Sequence, residues 1–410
     1  MHASVLLWLV ALGYLGFVAS ELARGYQSAA RGEAPLYTDY TSLYAASMLV
    51  QAEPAENLYR PRQMYRANLA SAYAAYGDGI TEAQARGTGY APWMYPPTFI
   101  LFAIPLAYLP YLLSFVAWIA ATSLPYLAAM REIVRDRSAI ALALAAPPAF
   151  FNLAYGQTGF LTGGLIGLGL TQLQRRPLVA GVLIGLASVK PHLGVLIPLA
   201  LAAGGHWRVF AAAATTVAGL AAASVAVLGL DPWYGFIGTL LFHLDGFQAG
   251  AYNWLPMTSV LSTAHLGGLS LNHAWTAQYT VSIIVAVVVA VVWRQGRSLP
   301  QSFGLQAAVL CLGTPLVVPM VYLYDLVLVA PAVAWLLVDL RSRGARRWER
   351  WALAGSFGAL LGARWIAAHA GVQIGAPCLA ALLALALYRF RSAGSGTPQR
   401  VANAPQPPAG

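Results

Sequence analysis

Charge is scarce in this chain. Charged residue types are 9% of 410 residues, whereas hydrophobic types are 59%. A soluble domain is about a quarter charged, so this chain cannot coat a soluble particle of its size. A soluble enzyme, a disordered hub and a disulfide-rich module are excluded. Cysteine is nearly missing too: Cys311 and Cys378 both fall inside apolar runs, without a CxxC pair, and imply neither a disulfide frame nor a zinc site. Lysine is rarer still, with Lys190 alone against 23 arginines. Strand-like alternation, a D-x-D motif, a Gly-rich loop ending in Gly-Lys-Ser or Thr, and any sizeable polar domain are all lacking. Their absence argues against a membrane barrel, cytoplasmic nucleotide-sugar chemistry and ATP-driven pumping.

What the chain does have is a succession of apolar runs: 5–22, 98–130, 138–155, 158–173, 178–189, 191–204, 208–230, 277–293, 303–319, 321–338, 351–368 and 372–390. Backbone in a bilayer must satisfy its own hydrogen bonds, which predicts an all-α polytopic bundle of about 12 spans. The net charge of +10 raises the question of nucleic acid, and the positions of the charges answer it. The short gaps between runs hold 16 arginines against four acids, while the loop 23–97 balances six arginines with six acids. The basic gaps therefore mark the cytoplasmic side, with both termini inside and the long first loop outside. The expected setting is a multi-pass protein of the inner (plasma) membrane, with membrane lipids as partners and no nucleic acid.

Three details qualify that threading. Run 98–130 is too long for one helix and contains Pro105 and Pro110, so a short helix can precede the true span. The pair 178–189 and 191–204 is short for two spans and can be half-helices that meet inside the protein. The first run, continuing to Leu22 with no preceding Lys or Arg, reads as a retained membrane helix. Residues 1–391 thus form one membrane domain, and 392–410, rich in Gly, Pro, Ala and Gln, a disordered cytoplasmic tail. Gly163, Gly164, Gly167 and Gly169, with the pair Gly181 and Gly185, suit close helix packing.

Polar residues that could carry chemistry gather on the outer side. The first loop opens with Tyr37-Thr38-Asp39-Tyr40 and continues at helical spacing through Leu43, Tyr44, Met48 and Leu49. An amphipathic helix from Asp39 to Val50, lying flat on the outer leaflet, is expected there. Asp39 in its first turn also suits the helix dipole without any further role. Ser188-Val189-Lys190-Pro191-His192 sits at the apex between the two short runs. Proline breaks the helix, and a lone ammonium at membrane depth needs an anionic partner unless it snorkels to the headgroups. Asp325, in Tyr322-Leu323-Tyr324-Asp325, is an acid well within a span and not at its edge, with Arg364 as one candidate partner. Asn152, Tyr155, Gly156 and Gln157 form another outer apex. His243, His265 and His273 are scattered, and Trp93, Tyr95, Trp233 and Trp254 read as an interfacial aromatic belt.

Taken in order, Asp39-Tyr-x-x-x-Tyr44-Ala45-Ala46, Tyr95-Pro96-Pro97, Gly156-Gln157-Thr158-Gly159, Gly181 to Gly185 running into Lys190-Pro191, and Tyr324-Asp325-Leu326 resemble glycosyltransferase family 87. The resemblance runs from the first span to about Asp339. That family consists of GT-C membrane enzymes typified by polyprenyl-phosphate-mannose-dependent α-1,2-mannosyltransferases. The resemblance implies hexosyl transfer on the external face, with mannose the first candidate sugar. It implies Asp39 as the catalytic carboxylate and Lys190 at the donor phosphate; His192 is the expected second phosphate contact, and Tyr44, Gln157, Tyr324 and Asp325 are the expected substrate contacts. The donor would be a polyprenyl-phosphate-linked sugar and the acceptor a lipid or glycan. A polyprenyl phosphate leaves as a stable anion, so one base suffices where glycoside hydrolysis needs two carboxyl groups. Such a single displacement inverts the anomeric centre and asks for no metal or other cofactor. The rival reading is a transporter or lipid flippase using Asp325; it predicts two halves of similar hydropathy and broken helices near the midplane, but no internal repeat is visible and the long first loop has no use in it.

Overall fold

The computed structural model describes residues 2–33, 38–77, 80–87 and 91–394. Among these residues the chain is helical almost throughout, with one isolated antiparallel bridge between Met257 and Tyr322. Five helices are long and apolar enough to cross a membrane: Val5–Ala30, Tyr111–Val134, Trp207–Leu228, Leu271–Gly296 and Gly375–Gly394. Ser138–Leu144 and Pro147–Tyr155, bent by 58° at their junction, would make a sixth if taken together. The protein is an all-α membrane protein.

The twelve apolar runs do not emerge as twelve such helices. Proline is the main reason, because it removes a helical donor and clashes with the preceding turn. Pro147 starts a new helix after Ala146, Pro191 separates two short helical pieces, and Pro315 and Pro319 end the helix Phe303–Val317 before a non-helical stretch. Run 98–130 divides in the same way: helix Pro97–Ala103 and the 3-10 turn Ile104–Tyr108 precede the long helix Tyr111–Val134. Of the tail expected to be disordered, Ser392 to Gly394 extend the last helix, and the remainder lies outside the described residues, as does Tyr37.

Several basic gaps converge on one end of the bundle. Arg341 pairs with Asp136 at 3.0 Å, and Arg389 pairs with Asp339 at 2.7 Å and Glu349 at 3.2 Å. A cavity of about 420 Å³ is lined there by Arg135, Arg175, Gln301 and Asp339 together. This convergence is what the charge pattern requires of loops on one side of a bilayer.

The helix after the first span departs from expectation. Asp39–Ala52 is a helix, but it does not lie flat with one wet face: nine of its residues, from Tyr40 to Leu49, are buried. Its polar side chains are satisfied internally. Thr41 Oγ1 lies 2.9 Å from the Tyr111 hydroxyl, and Ser47 Oγ donates to the Ile104 carbonyl at 2.7 Å. The helix is thereby packed into an aromatic cluster with Trp93, Phe99, Phe115 and Trp118. A pattern that reads as amphipathic turns out to be one apolar face and one internally bonded face.

The glycines pack helices. A methyl added at Gly164 would meet Tyr126 Cα at 2.8 Å, and one at Gly181 would meet the Val209 carbonyl at 2.6 Å. Replacing Gly164 with Ala should destabilise the protein by about 1–3 kcal/mol, the usual cost of overpacking against backbone. Thermal unfolding in detergent measures this; an unchanged midpoint would mean that the two helices are free to move apart.

Candidate active site

Three interruptions in helical structure build one cavity. At the first, helix Pro147–Tyr155 ends on Gly156, whose φ of 66° is left-handed. A side chain here would also strike Tyr40 Cβ at 2.6 Å and the Phe115 ring at 2.8 Å, so glycine is required twice over. The reversal lets Asn152 Oδ1 accept from the Gly159 N–H at 2.7 Å, which starts the next helix and leaves Gln157 at the apex.

At the second, helix Pro177–Leu186 passes through the 3-10 turn Ala187–Val189 to Lys190, and Pro191 begins another 3-10 turn. The two short apolar pieces meet at Lys190, which is only 8% exposed. The third is the stretch from Val318 to Tyr324, followed by the 3-10 turn Asp325–Leu328. Helix Gly159–Gln172 lies directly on this turn: a methyl at Gly163 would meet the Leu328 nitrogen at 2.8 Å. Small residues thus bring the Gln157 apex against Tyr324 and Asp325.

Lys190 and Asp325 form a buried ion pair. Lys190 Nζ donates to Asp325 Oδ1 at 2.5 Å, and the Tyr322 N–H donates to Asp325 Oδ2 at 3.0 Å. The ammonium also sits 5.0 Å from the Tyr324 ring centroid and 5.8 Å from that of Tyr95, within range for cation–π attraction. Lys190 therefore does not snorkel, and it, not Arg364, is the partner of Asp325. Arg364 instead has its guanidinium 5.5 Å from the Tyr155 ring centroid.

Asp39 begins its helix, as the dipole argument expects, but its carboxylate is also held from a distant part of the chain. Gln157 Nε2 donates to Asp39 Oδ2 at 3.0 Å. Gln157 is itself oriented by the Tyr95 hydroxyl, donating to its Oε1 at 2.7 Å, and by the Thr158 N–H at 3.1 Å. Burial pushes the Asp39 carboxyl above the ordinary aspartate range, while the Gln157 bond and the charge of Lys190 pull against that rise.

Asp39, Gln157, Lys190, His192, Tyr324 and Asp325 all line one cavity of about 300 Å³. Tyr44 does not. It lies five residues beyond Asp39, about 140° round the helix, and its hydroxyl donates to the Leu109 carbonyl at 2.9 Å. The wall also includes Tyr95, His243 and Tyr322, which the sequence names without a place in the site. Tyr95 stands in this wall and not in an interfacial belt, and Trp93 and Trp254 are buried as well, at 1% and 8% exposure. A Tyr-Pro-Pro entry to a span carries no signal that separates a cavity wall from a headgroup anchor.

A carboxylate and an ammonium thus share one cavity inside a helical membrane protein. The family model described as Glycosyltransferase family 87 matches residues 93–319, more than half of the chain. The chain belongs to glycosyltransferase family 87 and is a membrane glycosyltransferase. No curated protein and no solved structure matches it. The matched segment contains Tyr95, Gln157, Lys190 and His192, while Asp39 and Asp325 lie outside it and join them only through the fold.

Replacing Lys190 with Met strands Asp325 in the interior and should cost about 3–5 kcal/mol. Adding Asp325→Asn, which keeps an acceptor for the Tyr322 N–H, should restore most of the loss. Unfolding midpoints of the single and double variants decide this, and equal losses in both would mean that the pair is not what stabilises the region.

Proposed function

We propose that this glycosyltransferase moves a hexose, with mannose the first candidate, from a polyprenyl phosphate to a lipid or glycan acceptor at the outer face of the plasma membrane. The observation that carries the reading is that Asp39 and Lys190 line the same cavity. Asp39, ionised, takes the proton of the acceptor hydroxyl as its oxygen bonds to the anomeric carbon. The bond from that carbon to the phosphate oxygen breaks, and the electron pair leaves with the polyprenyl phosphate. Lys190 has three N–H donors, of which Asp325 takes one, so it can hold the departing phosphate together with His192. Gln157 fixes the carboxylate, and Tyr324 forms wall for the sugar. Attack opposite to the leaving group inverts the anomeric centre.

The membrane arrangement belongs to the same proposal. Both termini are cytoplasmic, and the shorter helices complete the twelve crossings in bent or head-to-head pairs. The transport alternative gives Asp325 a gating role, yet Asp325 is committed to Lys190 and to the Tyr322 backbone.

Asp39→Asn should keep its fold and donor binding and lose at least about 100-fold in transfer, the low end of general-base contributions. Purified protein, a panel of polyprenyl-phosphate sugars and mass spectrometry of the product measure it; normal turnover would remove Asp39 from the chemistry. The pH profile gives an independent check. The base works only when ionised and its pKa is raised, so kcat/KM should fall as pH drops, with a limb above the ordinary aspartate value near 3.9. Gln157→Leu deletes a bond that favours the ionised form and should move that limb to still higher pH. A limb that does not move would detach Gln157 from the reacting carboxylate.

A further inference from the structure

Asp39 borders a second cavity, of about 310 Å³, which shares Asp39, Tyr322 and Tyr324 with the first and adds Arg364 and Tyr155 on its other side. Lys190 and His192 belong to the first cavity only, and Arg364 to the second only. The two spaces are divided by Tyr322 and Tyr324, whose rings stack at 5.3 Å. Asp39 is the one acid exposed to both.

Arg364 pairs with no acid among the described residues. Its guanidinium is steadied against the Tyr155 ring, which in turn meets Tyr324 edge-on at 5.9 Å. Tyr155, Phe151, Pro256 and Leu323 give the rest of this cavity a largely apolar wall. A guanidinium is a planar fork of five donors that matches phosphate or carboxylate in two parallel hydrogen bonds. Stacking on an aromatic ring leaves the edge of that fork free. Arg364 is an exposed residue of this wall whose charge also acts on Asp39, so its fork of donors is open to an entering anionic group.

We infer that the second cavity receives the acceptor and that Arg364 selects an acceptor carrying a phosphate or carboxylate group. The inference rests on the transfer reading above and extends it from the donor to its co-substrate. The donor phosphate lies with Lys190 and the acceptor anion with Arg364, one on each side of the carboxylate that joins the two cavities. This separation keeps two like charges apart while the acceptor hydroxyl and the anomeric carbon meet at Asp39.

The test uses the full chain in lipid nanodiscs. A lipid and glycan extract of membranes is split by anion exchange into neutral and anionic pools, the anionic pool is further divided by phosphatase sensitivity, and each fraction is offered with polyprenyl-phosphate sugars. The expected result is product from an anionic fraction, with phosphatase sensitivity telling phosphate from carboxylate. Arg364→Ala should raise the acceptor KM by roughly 10- to 100-fold, the loss of a charge-assisted contact, and leave the donor KM within about twofold. Arg364→Lys, which keeps the charge and loses the fork, should fall between. Unfolding midpoints confirm that the variants fold. Product from the neutral pool alone, or a rise in donor KM in place of acceptor KM, overturns the inference and leaves the transfer reading standing. If the unaltered protein transfers nothing in any combination, the transfer reading falls and takes the inference with it.

Discussion

The interior ion pair between Lys190 and Asp325 is the constraint on which the cavity depends. Neither group tolerates removal from water alone, and each is tolerated because the other lies at hydrogen-bond distance. The two residues are 135 positions apart in the chain, so satisfying both charges fixes two distant helix breaks against each other. The Gln157 apex is then held on the same spot by glycine contacts with the turn that follows Asp325. Among the described residues, the carboxylate of Asp39 enters this frame through its side-chain hydrogen bond with Gln157. Of the two acids that line the cavity, Asp325 has a cation in hydrogen-bond contact and Asp39, which borders both cavities, does not.

Much of this was legible in the sequence, and what was not had definite reasons. The shortage of charge marked the membrane class, and the basic gaps carry the proposed threading. Asp39, Gln157, Lys190, Tyr324 and Asp325 could be singled out because polar residues beside helix breaks in an apolar chain are conspicuous. Pairing them could not be done from hydropathy: Arg364 and Lys190 were both available to Asp325, and only the fold separates them. Tyr44 shares a helix with Asp39 but not a face, which spacing alone could have shown. Tyr95, Tyr322 and His243 could be named but not placed in the site, because an aromatic or His beside a span looks the same whether it meets headgroups or lines a cavity.

Helix breaks serve a second purpose here. A continuous helix satisfies its own backbone and offers a bilayer only side chains. Where Gly156, Pro191 and Pro319 interrupt it, the freed backbone groups are used within the site, as when the Tyr322 N–H binds Asp325 and the Gly159 N–H binds Asn152. That economy of broken helices also explains why so few of the apolar runs are long enough to cross alone. The runs that build the cavity are the short ones, while the long helices Trp207–Leu228 and Leu271–Gly296 turn many large apolar side chains outward.

One consequence follows from how Lys190 is placed. It supplies the sole side-chain amine of the whole polypeptide, and it is enclosed and protonated against a carboxylate. An acylating reagent aimed at amines therefore meets a molecule whose surface offers it no lysine at all. Modification of that residue demands that the reagent enter the chamber and that the ammonium release both its proton and Asp325. Such a chain carries a built-in chemical gauge: a gain in mass mapped to the peptide holding Lys190, and so set apart from acylation of the terminal amino group, would register how often the chamber stands open.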